Sequence, residues 1–235
     1  SGETVLKEIF SADFSHNEQS LRVVEVLENN GLGLNLTHEV RDGILKHSKG
    51  FGKIIPDDDS ERAVTYEGRI ARIADIMAYL NHDLEDAIRS GVIKAEQVPT
   101  ECTQILGHSH SERATTMIRD LISSTRVVDG GLCLQMSEDV NEAFGILRQF
   151  LYDNVYRSPR VHRHFEKAKK LLTELYRFFL ENEEVMLENL DELQMTGCNS
   201  NGQSRERIVT DLIASMTDRY AMNLYKKLFF PIPLV

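Results

Sequence analysis

The chain has 235 residues, 41% of them hydrophobic, enough for one sizeable core or two small ones, and its 27% charged content is not that of a disordered segment. A formal net charge of −10 argues against a nucleic-acid coat, although a local basic patch can still meet phosphates. No apolar run approaches the ~18 residues of a membrane helix, and Glu3, Lys7 and Glu8 interrupt any signal-peptide pattern at the start.

In chain order the periodicity is helical almost throughout. "NEQSLRVVEVLENN" sets Leu21, Val24 and Leu27 on one face and stops at Gly31 and Gly33. "THEVRDGILKHS" offers Thr37 as an N-cap, with Val40, Ile44 and Leu45 as its apolar residues. "GFGKIIPDDDSERAVTYEG" reads as a loop, from its glycines, its proline and three successive aspartates. A long amphipathic helix follows, then "KAEQVPTECTQILG", a short connection holding a single helical turn, and the helix "SHSERATTMIRDLISST". "RVVDGGLCLQMS" places Asp-Gly between two β-prone runs, the signal of a two-residue hairpin. Ser137 caps the next helix and Pro159 interrupts the pattern. "VHRHFEKAKKLLTELYRFFLEN" is long and amphipathic, "MTGCNSNGQSRE" is a polar loop, and "RIVTDLIASMTDRYAMNLYKKLF" closes the fold before Pro231 and Pro233. The expected fold is an all-α bundle with at most one small β-hairpin, arranged as a single domain over residues 1–235.

The three cysteines, Cys102, Cys133 and Cys198, are odd in number and fit no zinc spacing, so free thiols in a reducing compartment are expected. His108/His110 and His162/His164 have an H-x-H spacing but fall in or at helices, where such neighbours point apart. The segment "RVHRHFEKAKK" (160–170) is the one basic stretch, and reads first as a solvated helix face.

The informative stretch is "RIARIADIMAYLNHDLEDAI" (69–88). Ile73, Met77, Leu80, Leu84 and Ala87 form one stripe, and Arg72, Asp75, Tyr79, Asp83 and Asp86 another. A charged row ordinarily meets water. Against that, Arg72 and Asp75 sit among Ile, Ala and Met, and Tyr79 sets a ring and a hydroxyl between two carboxylates. An aspartate can ligate a hard cation or accept a bond from a sugar hydroxyl.

This stretch resembles the helix bearing the last metal ligand in the HD-domain deoxynucleoside triphosphate triphosphohydrolases, the dGTPase family. "FSHNEQSLRVVEVLE" (14–28), "GLNLTHEVRDGILKHS" (33–48), "SHSERATTMIRDLI" (109–122), "FLYDNVYRSPRV" (150–161) and "LIASMTDRYAMNLYKKLF" (212–229) resemble bacterial members in the same order, across essentially the whole chain. The resemblance implies metal-dependent hydrolysis of a deoxynucleoside triphosphate to a deoxynucleoside and tripolyphosphate. It implies that Asp75 ligates a divalent cation such as Mg or Mn, that Tyr79 packs on the nucleotide, and that Asp83 binds the sugar 3′-hydroxyl. It implies phosphate contact for Lys46, a catalytic role for Glu3, which follows a histidine in the family's "GHxGE", and a polar cluster at His16 and Asn17 closing around the phosphates, with His16 catalytic. Arg207 and "MTDRY" (216–220) match a C-terminal signature, although an Arg207–Asp211 pair at i,i+4 and a structural tyrosine account for them equally.

The family's first metal histidine, its His-Asp pair and its catalytic histidine fall upstream of "SGE" in this pattern. The His82-Asp83 dipeptide lies on the far side of Asp75 and is not that pair. A catalytically dead module for nucleotide binding or oligomerisation is therefore the alternative. The resemblance further implies a cytoplasmic homo-oligomer, often a hexamer, sometimes activated by a nucleotide or single-stranded DNA, with no membrane partner.

Overall fold

A computed structural model describes residues 2–48, 52–197 and 202–231; Cys198 and Pro233 lie outside them. The fold is all-α with one small hairpin. The chain divides into two compact units, Ser1–Arg41 with His164–Val235, and Asp42–Arg163.

In the second unit, the Thr65 hydroxyl accepts from the Gly68 N–H at 3.1 Å and starts the helix Tyr66–Arg89. We number this helix α4, after α1 (Gly2–Ile9), α2 (His16–Arg22) and α3 (His38–Lys46). Its apolar stripe is buried as the periodicity predicts. Ile73, Met77, Leu80, Leu84 and Ala87 join a core with Leu106, Met117, Phe144, Leu147 and Leu151. Each fully buried leucine there contributes about 1.5–3 kcal/mol relative to an exposed one.

The expected single turn after α4 is a two-turn helix, α5 (Thr100–Leu106). Seven residues are too few for a stable helix alone, and burial of Cys102 and Leu106 holds it. The Cys102 thiol donates to the Ala143 carbonyl at 3.3 Å, and burial pushes its pKa up to about 11. Cys102 and Cys133 are both free thiols. Helix α6 (His110–Ser124) starts with a capping box between Ser109 and Glu112. Strands β1 (Arg126–Val128) and β2 (Gly131–Cys133) then pair antiparallel, Val128 opposite Gly131. Asp129 (φ 51°) and Gly130 (φ 81°) supply the two left-handed residues of the turn.

Ser137 caps α7 (Glu138–Leu151), which runs on into a π turn, Tyr152–Tyr156. Pro159 opens α8 (Pro159–Glu181), where its missing N–H costs nothing. Helix α3 departs from expectation: Val40 and Leu45 are exposed. Its close contact is made by Gly43, whose Cα would lie 3.2 Å from a Cβ placed on Gly68 of α4. The approach needs the absence of a side chain, so the apolar residues of α3 face elsewhere.

In the first unit, α2 continues through a π turn (Val23–Leu27) to a last turn at Glu28–Gly31. The C-terminal part of α8 packs with α9 (Glu183–Glu192), α10 (Arg205–Ala214) and α11 (Asp218–Phe229) around Phe14, Leu175, Phe179, Leu190 and Leu212. The closing segment folds as two helices, because the Thr217 hydroxyl accepts from the Tyr220 N–H and caps a new helix.

Asp211 of α10 is fully buried. It accepts from Gln19 Nε2 at 2.9 Å, from Arg22 Nη2 at 2.7 Å and from Arg207. The i,i+4 pair expected from the sequence is thus one edge of a cluster that ties α2 to α10. Replacing Asp211 by Asn would leave two guanidinium groups without their shared carboxylate, so Asp211→Asn is expected to lose roughly 3–5 kcal/mol of stability in a urea-unfolding measurement.

Candidate functional site

The polar stripe of α4 does not behave as one unit. Asp86 pairs with Arg89 at 2.6 Å in solvent, the ordinary fate of a surface carboxylate. Asp75 is exposed. Between them, Tyr79 and Asp83 belong to a compact polar cluster. Tyr156, at the end of the π turn, donates its hydroxyl to Asp83 Oδ2 at 2.6 Å. Its ring stacks on Tyr79 with centroids 6.1 Å apart and planes 22° from parallel.

Burial pushes the pKa of Asp83 up; the Tyr156 hydrogen bond pulls it back and Asp86 pushes it further up. Tyr79 is raised by burial, and Tyr156 by burial and by the hydrogen bond to Asp83. Both phenols are therefore neutral donors at neutral pH. Arg148 lies close enough to act electrostatically on both rings, and donates to the Gly52 carbonyl at 2.7 Å. The cluster thus offers a ring face, a hydrogen-bonded carboxylate and a nearby guanidinium. Tyr79 is 44% exposed, so its ring has an open side.

Sequence reasoning did not single out Tyr156 or Arg148. Helical counting along α7 finds Phe144, Leu147 and Leu151, all buried. The π turn inserts an extra residue per turn and rotates the residues beyond it, so Tyr156 reaches Asp83 from a position that a 3.6-residue period does not mark. The family similarity at 150–161 held the signal without a role attached.

Lys46, at the end of α3, is bonded within its own unit. It pairs with Asp42 at 2.9 Å and donates to the Arg62 carbonyl at 2.9 Å. Arg72 is buried at 4% exposure.

Glu3, His16 and Asn17 lie in the first unit. Glu3 Oε2 meets His16 Nδ1 at 2.6 Å, and Glu3 Oε1 meets Lys7 at 2.8 Å. Burial alone would push the Glu3 carboxyl up, but the hydrogen bonds and charges of Lys7 and His16 outweigh it and leave the pKa below its ordinary value. A carboxylate so held can orient the imidazole. Ser15 caps α2 and puts His16 at its first position; Asn17, the next residue, is buried. Glu3 and His16 also border a cavity of about 640 Å³, with Phe14, Leu171 and Met222 among its apolar walls.

Among the described residues, no group of three or more His, Cys, Asp or Glu side chains could hold a metal ion. Asp75 is one oxygen donor and not a complete site, and the H-x-H pairs form no such group. In the basic stretch 160–170, Lys169 pairs with Glu8 and Lys170 lies 3.8 Å from Glu174, as on a solvated helix face. No helix of the described residues is long and apolar enough to cross a membrane.

Residues 134–227 match the phosphohydrolase-associated domain. The chain is 52% identical over 234 residues to a deoxyguanosinetriphosphate triphosphohydrolase-like protein of Desulfatibacillum aliphaticivorans, covering 100% of this chain and 67% of that protein. Proteins of the same description from Caldanaerobacter subterraneus subsp. tengcongensis and Clostridium perfringens (strain SM101) are 43% and 40% identical. They align with 99% and 98% of this chain and with 63% and 64% of their own lengths. The chain thus spans about two thirds of the length of these relatives.

Two outcomes are expected from the cluster. In Tyr156→Phe the carboxyl of Asp83 loses the bond that lowers its pKa, so its titration midpoint by carbon NMR rises above that of the wild type. Asp83 holds its proton more tightly folded than unfolded, so stability falls as pH rises from the ordinary value of 3.8 to the raised one. Asp83→Asn is therefore expected to melt above the wild type at neutral pH, and the gap to close as pH falls to 3.8.

Proposed function

Because the chain belongs to the deoxyguanosinetriphosphate triphosphohydrolase-like family, we propose that it is the nucleotide-recognising part of a deoxynucleoside triphosphate triphosphohydrolase. The observation that carries this reading is the Tyr79–Tyr156–Asp83 cluster, a half-open aromatic face beside a hydrogen-bonded carboxylate.

In this reading Tyr79 stacks on the deoxyribose and leaves little room for a 2′-hydroxyl. Asp83 accepts a hydrogen bond from the 3′-hydroxyl while Tyr156 holds it in place. Lys46 offsets phosphate charge. In its own unit, Glu3 holds the His16 imidazole in one orientation, as a group that transfers protons requires. Water adds to the α-phosphorus, the bond from that phosphorus to the 5′-oxygen breaks, and the 5′-oxygen takes a proton. The products are a deoxynucleoside and tripolyphosphate.

Asp75 is the residue this chain would give to a divalent cation. One carboxylate does not make a metal site, and among the described residues no cluster completes it. The second reading is nucleotide binding without turnover, which the test below separates from the first. A homo-oligomer, activation by a nucleotide or by single-stranded DNA, and a cytoplasmic location belong to the proposal as well.

The test uses dGTP and GTP binding by calorimetry, and product analysis with all four deoxynucleoside triphosphates and Mg or Mn on the full-length protein. We expect dGTP to bind better than GTP, and Tyr79→Ala to weaken dGTP by about tenfold, the worth of one good stacking contact. Release of tripolyphosphate supports the hydrolase, and binding without any nucleoside product supports the second reading. Equal binding of dGTP by the wild type and Tyr79→Ala would defeat both.

A further inference from the structure

A second feature of the Asp42–Arg163 unit has no part in the sugar-binding cluster. Four cationic side chains, Lys46, Arg62, Arg69 and Arg72, line one cavity of about 80 Å³, and among the described residues no carboxylate-bearing one lines it. Its remaining walls are largely apolar, Ile54, Pro56 and Leu134 among them. The volume is several times the ~10–15 Å³ that one water needs, enough for a tetrahedral oxyanion.

The four cations are not equally compensated. Lys46 pairs with Asp42 and Arg62 with Asp59. Arg69 and Arg72 have no carboxylate hydrogen-bonded to them among the described residues. Arg69 Nε donates to the Ala63 carbonyl at 2.8 Å, and its guanidinium lies 5.0 Å from the centre of the Tyr66 ring. Arg72 is 4% exposed, and its donors reach three backbone carbonyls, of Ile54 at 3.4 Å, Lys46 at 3.3 Å and Lys53 at 3.1 Å. Burial lowers its pKa, and Glu61 acts on it only in the opposite direction, through space.

A buried charge held by carbonyl dipoles alone is costly. A guanidinium presents its N–H groups in a fork that matches the paired oxygens of a phosphate. An oxyanion in this cavity would supply the missing counter-charge to Arg69 and Arg72 together.

We infer that the cavity lined by Lys46, Arg62, Arg69 and Arg72 binds a phosphate-class oxyanion, either free phosphate or polyphosphate or the phosphoryl end of a nucleotide. The inference rests on the nucleotide reading only for Lys46; the three arginines come from the cavity itself.

The experiment is calorimetric titration of the chain at low ionic strength with inorganic phosphate, tripolyphosphate, dGTP and deoxyguanosine. Arg72→Gln tests the buried group, and Arg69→Gln tests a residue whose removal spares the three carbonyl contacts that knit Arg72 into the fold. We expect each variant to weaken phosphate or tripolyphosphate by about tenfold, the worth of one charge-assisted hydrogen bond, while Tyr79→Ala leaves both unchanged. Phosphate and tripolyphosphate binding without dGTP binding would assign the site to the free anion, uphold the inference and defeat the nucleotide reading. Weakening of dGTP by Arg69→Gln, with deoxyguanosine unaffected, would assign it to the nucleotide's phosphates. Absence of anion binding by the wild type, or equal anion binding by Arg69→Gln and the wild type, would overturn the inference. Loss of dGTP affinity in Tyr79→Ala would still stand for the nucleotide reading in that case.

Discussion

A helix cannot turn Leu80 and Leu84 into a core without turning Tyr79 and Asp83 away from it, and much of the second unit derives from that constraint. The 3.6-residue period gives α4 an apolar stripe, which is buried, and a polar stripe displaced around the axis. Once the first is fixed against α6 and α7, the second has no freedom left. Its members then take the partners that each local environment offers: Arg89 for Asp86, Tyr156 for Asp83, three carbonyls for Arg72, and solvent for Asp75. The arrangement behind the nucleotide reading is thus a by-product of core packing, refined by one tyrosine from another helix.

Two buried charged groups, Asp211 and Arg72, are handled differently. Around Asp211, one carboxylate is shared by Arg22, Arg207 and Gln19, so charge is balanced inside the protein. Around Arg72, backbone dipoles carry the burden and no carboxylate is in hydrogen-bonding reach among the described residues. The first is an arrangement for holding two helices together. The second leaves a cationic surface turned toward an open cavity.

Local chemistry was readable from the residues alone. Asp129-Gly130 gave the hairpin, Ser137 gave a helix start, and the stripe of α4 gave its buried face, because each depends on neighbours a few positions away. The features that escaped depended on tertiary contact. Helix α5 is held by burial of Cys102 and Leu106, Gly43 and not Val40 or Leu45 makes the close approach of α3, and Tyr156 is rotated by a π turn. The pairing of Glu3 with His16 joins residues thirteen positions apart and has no periodic signature. The alternative of a plain solvated row proved apt for Asp86 and inapt for Asp83.

The span between Arg22 and Asp211 has a consequence for how the chain acquires its shape. Their bond closes a separation of 189 positions, whereas the Asp42–Arg163 unit is one continuous segment. During synthesis the continuous segment can emerge whole and collapse on its own schedule. The early helices must wait, with Leu27 and Phe14 uncovered, until α10 leaves the ribosome. Until then those helices keep apolar side chains exposed, and residues 205–214 bring the carboxylate that ties them in.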